Sequence, residues 1–104
     1  MTDELLFHHG TTIVRRLRLA PGEAMSWHRD PFHRVAIVLS GDLLLIEYRA
    51  GAESRSVEIT PGQVDWKEPS ARVHRAVNIG KQMYEQVTVF LLDRPDAVPQ
   101  PTDD

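Results

Sequence analysis

The stretch of sequence that decides the fold is PGEAMSWHRDPFHRVAIVLSGD, residues 21–42. It places His28, Asp30 and His33 directly before an apolar run, VAIVL, that precedes a glycine. If the segment before Pro31 is extended, His28 and Asp30 face the same way, with Cα atoms about 6.5 Å apart. That spacing suits two ligands of one metal ion. Pro31 interrupts the strand, so alternation does not settle the direction of His33.

The rest of the chain consists of short runs rich in Val, Ile, Leu and aromatic residues, separated by Gly, Pro and Asp. Long windows of helical periodicity are absent. The predicted strands are residues 11–19, 24–28, 35–39, 43–48, 56–59, 64–66, 72–78 and 83–92. Ser40-Gly41-Asp42, between two of these strands, is a hairpin signal. About eight short strands with regular turns predict an all-β sandwich or barrel.

The composition sets limits on the class of protein. A chain of 104 residues forms one domain, which we place at residues 11–92, between an N-terminal segment (1–10) and a flexible Pro-rich tail (93–104). A net charge of −3 does not favour a nucleic-acid partner. No apolar run approaches a membrane span, and the first residues do not resemble a signal peptide, so we expect a cytoplasmic protein. Without cysteines, only His, Asp and Glu remain as protein metal ligands.

Two predicted strands are apolar on both faces. These are VAIVL at residues 35–39 and LLLI at residues 43–46, whereas a sheet with one wet face would alternate. One face should line the interior and the other should be covered. Because no helix is predicted to cover it, we expect a second subunit and therefore a homodimer.

Two segments of the chain resemble the paired motifs of the cupin family. The first cupin motif is G-x5-H-x-H-x3,4-E-x6-G, and this chain keeps its spacing with Gly22, His28, Asp30, Arg34 and Gly41. Asp30 stands at the second His position and Arg34 at the Glu position. The stretch WHRDPFHRVAIVLSG is also similar to small single-domain cupins, including those associated with β-alanine degradation, which usually carry WHRH here.

The second cupin motif is G-x5-P-x-G-x2-H-x3-N. Pro69, His74 and Asn78 fall in place, Ala71 replaces the inner glycine, and Gly62 is one position early. Together the motifs span roughly residues 12–92. The resemblance implies a double-stranded β-helix, a jelly-roll barrel in which both motifs face one cavity.

The resemblance also implies a divalent metal site, for Fe, Mn, Ni or Zn. His28 and His74 match ligand positions and Asp30 can coordinate through oxygen, which gives a set of two His and one carboxylate. His33 is a candidate fourth ligand. Arg34 has no lone pair to offer. In a second interpretation Arg34 pairs with Asp30, and the cavity binds its ligand without metal.

Four residues are candidates for binding a small-molecule substrate. Arg72 shares a face with His74 by alternation and could pair with a carboxylate, or it could pair with an acid such as Glu85. The other candidates are Arg34, Trp27 and Trp66, although large aromatic residues are more often core or interface residues.

The functional hypothesis is a small single-domain cupin with a divalent-metal site that binds or converts a small organic acid. The alternative is a non-enzymatic, metal-free cupin that binds a small ligand or a partner. A third, less favoured hypothesis is metal-free isomerase chemistry with His74 as base. The sequence assigns no catalytic residue and leaves open whether the protein is an enzyme.

Overall fold

The computed structural model describes residues 1–51 and 53–93. This part of the chain is all β. Its nine strands are β1 (Thr2–His9), β2 (Thr12–Leu19), β3 (His28–Asp30), β4 (His33–Ser40), β5 (Leu43–Tyr48), β6 (Arg55–Glu58), β7 (Val64–Lys67), β8 (Ser70–Asn78) and β9 (Tyr84–Leu91). The predicted tail lies, from residue 94 onward, outside the described residues. Within the described ranges, no helix is long and apolar enough to cross a membrane.

The strands form two antiparallel sheets, which confirms the predicted all-β class. One sheet has the order β1-β2-β9-β4-β7 and the other has the order β3-β8-β5-β6. The strands that pair are mostly distant in sequence: β4 pairs with β9 and β7, while β5 pairs with β8 and β6. The chain therefore crosses repeatedly from one sheet to the other.

The predicted hairpin between β4 and β5 is wrong. These strands belong to different sheets, and the turn after Ser40 carries the chain across the barrel. Gly41 has φ +129°, and a Cβ atom there would lie 2.8 Å from Cδ1 of Tyr84. Glycine is needed here for a sheet-to-sheet crossing with close packing, and the sequence signal for that is the same as for a tight hairpin.

The N-terminal segment predicted at residues 1–10 contains a strand that the sequence does not predict, β1. It pairs with β2 along its whole length, with a bulge between Leu5 and Phe7. A bulge adds one unpaired residue and so breaks the alternation that identifies a strand. Salt bridges hold β1 to β2: Asp3 contacts Arg15 at 2.9 Å and Glu4 contacts Arg16 at 2.5 Å.

The strand predicted at 24–28 is shorter and lies further along the chain. Ala24 makes only an isolated bridge with Val77, and β3 begins at His28.

The apolar core lies between the two sheets, built from alternate residues of their strands. Ile13, Leu17 and Leu19 are buried, as the alternation in β2 predicts. The main cluster consists of Leu17, Leu19, Val38, Leu44, Ala76 and Tyr84. Alternate positions of the same strands continue past this cluster into a cavity.

The outer face of the five-stranded sheet carries an apolar row. Phe7, Val14, Val89, Val35 and Trp66 are direct register partners across all five strands. The two ends of this row, Phe7 and Trp66, are 56% and 55% exposed. VAIVL is therefore apolar on both faces because one set of its alternate residues lines the barrel interior and the other set lies on the outer surface.

Asn78 ties three chain segments together at the closed end of the barrel. It is 1% exposed, and its Nδ2 donates to the carbonyls of Leu19 and Gln82, each at 2.8 Å. Its Oδ1 accepts from the backbone N–H of Gly80 at 3.0 Å. The structural role expected for this asparagine, satisfying backbone groups beyond its own strand, is what the structure shows.

We expect Asn78→Ala to lower the free energy of unfolding by about 2–4 kcal/mol, because it leaves buried backbone groups without partners. Urea denaturation followed by circular dichroism measures the change. Gln82→Ala is the matched control, since it keeps the carbonyl that accepts from Asn78 and removes only an exposed side chain. Equal stabilities of the two variants would contradict this role.

Candidate metal centre

The pairing of β3 with β8 brings the two motif histidines together. His28 and His74 are direct register partners, although 46 positions separate them in the chain. Their ring centroids are 4.6 Å apart. Asp30 follows two residues after His28 on β3, so its carboxylate lies beside both rings.

One carboxylate oxygen of Asp30 is the centre of the cluster. Oδ2 lies 2.8 Å from Nε2 of His74, 3.5 Å from Nε2 of His28 and 3.2 Å from a terminal nitrogen of Arg34. Asp30 is only 7% exposed, so these groups rather than water compensate its charge.

The other ring nitrogen of each histidine is bound to the backbone. Nδ1 of His28 lies 2.8 Å from the carbonyl oxygen of Ser26, and Nδ1 of His74 lies 2.9 Å from that of Arg72. A carbonyl only accepts, so each Nδ1 carries the proton that it donates. Each Nε2 therefore faces Asp30 either with a second proton, on a charged ring, or with a lone pair directed at a cation between them.

Burial and charge act in opposite directions on these groups. Burial raises the pKa of Asp30, but hydrogen bonds from His28 and His74 and the charges of His28 and Arg34 lower it more, so the net pKa is well below the ordinary value. Burial lowers the pKa of His28, and Asp30 reverses this, so the net pKa is raised. Burial lowers the pKa of Arg34, partly opposed by Asp30. Asp30 is thus held as a carboxylate.

The donor set fits a divalent metal. His28, Asp30 and His74 each offer one ligand atom, and these atoms lie within 4.8 Å of one another. Two imidazoles fixed by backbone carbonyls and one carboxylate suit Fe, Mn, Ni or Zn. Arg34 opposes a metal by charge, because its guanidinium contacts the same oxygen that a cation would use.

The cluster faces a cavity of about 420 Å³ between the sheets. Four basic side chains line it, together with three carboxylates. The basic residues are Arg15, Arg34, Arg55 and Lys67, and the acidic residues are Asp3, Asp30 and Asp65. Tyr48 also lines the cavity beside His74, with ring centroids 6.2 Å apart. The volume suits a small ligand.

Of the predicted site residues, Arg34 lies in the cavity and His33 lies outside it. Alternation along β4 directs Arg34 inward, where it also donates to the carbonyl of Glu68 at 3.2 Å. His33 is one position earlier and lies on the outer face, with Nδ1 3.0 Å from a carboxylate oxygen of Glu68 and its ring 5.4 Å from that of Trp66. The structure does not bring His33 to the cluster.

The two tryptophans and Arg72 are not among the residues lining this cavity. Trp66 is on the outer face of the five-stranded sheet, and its Nε1 donates to Glu68 at 3.1 Å. Trp27 packs against Arg75, whose Cζ lies 4.4 Å from a ring centroid. Arg72 is exposed, with its Cζ 3.9 Å from the ring centroid of Tyr48.

Glu85, the alternative partner predicted for Arg72, pairs with Arg18 instead. Arg72 lines a second, smaller pocket of about 290 Å³ beside Tyr48.

Sequence reasoning missed the polar residues that β9 contributes to the cavity. Tyr84, Gln86 and Thr88 occupy successive inward positions, and all three line it. The available signal was the polar residues at positions 84, 86 and 88 of YEQVTVF, although Glu85 between the first two is polar as well. Arg15 was missed likewise, although it shares the inward parity of Leu17.

Comparison with solved structures shows what this architecture resembles. A cupin domain from Bordetella pertussis Tohama I superposes with a TM-score of 0.76 at 21% identity, over 86% of this chain and 91% of that one. A double-stranded β-helix protein from Klebsiella pneumoniae subsp. pneumoniae MGH 78578 gives 0.71 at 18% identity, over 99% and 84%. The chain has the cupin fold.

This confirms the double-stranded β-helix predicted from the paired motifs. An oxalate oxidase in complex with the substrate analogue glycolate also shares the cupin fold, with a TM-score of 0.61 and 23% identity over 85% of this chain and 45% of that one. No protein-family model matches the sequence, and no curated protein matches it. The narrower similarity to cupins of β-alanine degradation stays a prediction.

In metal-free protein we expect Asp30 and Arg34 to be energetically coupled by about 1–3 kcal/mol, because the pair is in contact and mostly buried. Asp30→Ala alone should lower the free energy of unfolding by about 3–5 kcal/mol, since it leaves the Arg34 charge buried without its partner. A double-mutant cycle of Asp30→Ala and Arg34→Ala, followed by urea denaturation after chelator treatment, measures both values.

The matched control is the salt bridge between Arg75 and Glu47, which is 2.8 Å long and more exposed. Its coupling should be clearly smaller. Equal coupling in the two cycles would contradict the buried pairing.

Proposed function

We propose that this protein holds a divalent metal ion at His28, Asp30 and His74, and that its cavity binds or converts a small organic acid. The observation that carries the metal proposal is the orientation of the two histidines. Both Nδ1 atoms are bound to carbonyls, and both Nε2 atoms converge on one carboxylate oxygen. A divalent cation at this point would replace two imidazole protons and satisfy all three groups.

The charge of the cavity supports an acid as the ligand. With four basic and three acidic side chains lining it, a divalent cation makes the cavity clearly positive. A carboxylate can then bind the metal or the Arg34 guanidinium. Glycolate, the substrate analogue seen with the structurally similar oxalate oxidase, is a ligand of this class.

The second candidate function is a metal-free ligand-binding cupin. It is favoured by the contact of 3.2 Å between Arg34 and Asp30, in which the chain supplies its own counter-charge. In that state Arg34 and the other basic side chains that line the cavity can still attract an anion without a metal ion. The cytoplasmic location stays a prediction.

Elemental mass spectrometry of untagged protein, before and after incubation with Fe(II), Mn(II), Ni(II) and Zn(II), tests the metal proposal. We expect close to one ion per chain in the parent and in His33→Ala, and at least tenfold less in His28→Ala and His74→Ala. His33→Ala is the matched control because His33 lies outside the cavity on the outer face.

A parent protein that takes up none of the four ions would overturn the metal proposal and favour the charge-paired site. In that case Arg34→Glu, which places a carboxylate where the cupin motif has its glutamate, should create metal binding that the parent lacks.

We also propose that two copies associate through the outer face of the five-stranded sheet. The apolar row from Phe7 to Trp66 runs in register across it, and Val64 beside the row is 61% exposed. Four strands of eight residues and one of four make a face of roughly 600 Å², close to the 800 Å² or so that a stable interface buries on each partner. The apolar row and Val64 form one part of this face, beside the Glu4–Arg16 and Arg18–Glu85 pairs, and an exposed apolar patch rimmed by polar side chains is typical of protein interfaces.

Light scattering at micromolar concentration should give the mass of a dimer for the parent. Val64→Glu combined with Phe7→Glu should give a monomer, because both side chains are exposed on this face and four charges would meet in the interface. Ile79→Glu, at an exposed apolar position outside the sheet, is the control and should stay dimeric. A monomeric parent would contradict the proposal.

A further inference from the structure

The inner side of β9 carries a ladder of polar side chains. Tyr84, Gln86 and Thr88 follow one another at every second residue, so their side chains lie on one wall of the cavity. Tyr84 and Thr88 are buried, and Gln86 between them is the register partner of the core residues Leu17 and Val38. Polar groups in such surroundings are costly unless they are hydrogen-bonded.

The side chains of the ladder hydrogen-bond to one another, and both bonds run in the same direction along β9. The Tyr84 hydroxyl donates to Oε1 of Gln86, and Nε2 of Gln86 donates to the Thr88 hydroxyl at 2.7 Å. In each hydrogen bond the donor belongs to the residue with the lower number and the acceptor to the residue with the higher number. The Thr88 hydroxyl, which accepts, keeps its own proton to donate, and Nε2 of Gln86 keeps a second one. The upper end of the ladder is therefore a donor facing the cavity.

The position of Thr88 places this donor near the metal centre. Thr88 is the register partner of Ala36 on β4, and Arg34 is the next inward residue along that strand. Successive inward residues are about 6.5 Å apart. The small side chain of Ala36 leaves space between Thr88 and the cluster of Asp30 and Arg34. One small molecule can therefore contact both.

From this arrangement we propose that the ladder recognises a second oxygen-bearing group on the organic acid. The ligand would be a short bifunctional acid: one carboxylate binds at the metal and Arg34, and an acceptor oxygen at its other end accepts from Thr88 and Gln86. The inference rests on the proposed function, because it assumes that an acid enters the cavity. It adds the class of acid and the residues that select it.

Selection follows from the cost of an unpaired donor. A monocarboxylic acid of the same length places an apolar end against Thr88 and Gln86 and removes their contact with water. A ligand that satisfies these donors is favoured over its apolar analogue. The ladder should therefore discriminate between acids that the charged cluster alone would bind alike.

Isothermal titration calorimetry on the metal-loaded protein tests this with matched pairs of acids, malonate against propionate and succinate against butyrate. We expect the parent to bind at least one diacid about tenfold more tightly than the monoacid of equal carbon number. Thr88→Val, which keeps the shape of the side chain, should reduce that preference about tenfold, because the diacid loses a donor and the monoacid no longer leaves that donor unpaired.

Thr88→Ser restores the hydroxyl and should restore the preference, which a purely structural role of Thr88 would not require. Thr60→Val changes an exposed threonine outside the cavity lining and should behave as the parent. If acids bind but the preference is absent, or if it survives in Thr88→Val, the ladder is not a recognition element and the proposed function stands. If no acid of either kind binds, both the proposed function and this inference are overturned.

Discussion

The contact on which the site depends is the approach of three side-chain nitrogen atoms to one Asp30 oxygen. His74, His28 and Arg34 all approach Oδ2, and Asp30 is almost fully buried. Each nitrogen comes from a different part of the barrel: β8, the start of β3, and β4. The carboxylate therefore fixes the relative positions of three strands as well as the chemistry of the centre. Its burial raises the cost of removing any single partner.

The barrel separates the groups that stabilise it from those that can bind a ligand. At one end, Leu19 and Asn78 are buried and the asparagine joins three segments of backbone. At the other end, the inward positions of the same strands become polar and open into the cavity. On β8 this change occurs between Ala76 and His74, and on β4 between Ala36 and Arg34. Because every second residue points inward, the same strands supply both the core and the candidate site.

Much of this could be predicted from the sequence, and the rest could not, for physical reasons. Alternation predicted the buried residues of β2, and the motif spacing predicted that His28 and His74 meet, although periodicity alone gives no contact between residues so far apart. The sequence did not predict β1, because its bulge breaks the alternation. It also did not predict the crossing at Gly41, because a turn with glycine occurs both in hairpins and in crossings between sheets. The outward direction of His33 follows only once β4 is known to begin at that residue. Arg72 has the parity of His74, but its guanidinium packs over the Tyr48 ring, and alternation does not report where a long side chain ends.

The contact between Arg34 and Asp30 has a further consequence for the order of folding and metal uptake. In many small metal sites the ligands come together only when the ion binds, so that folding requires the metal. Here the Arg34 guanidinium already neutralises the carboxylate and is itself tied to the Glu68 carbonyl. With this pairing the polypeptide would not need an ion to reach its native shape, and an ion that bound later would displace an internal cation instead of organising the chain. Occupancy would then follow the surrounding supply of metal, and emptying and refilling the centre would leave the barrel intact.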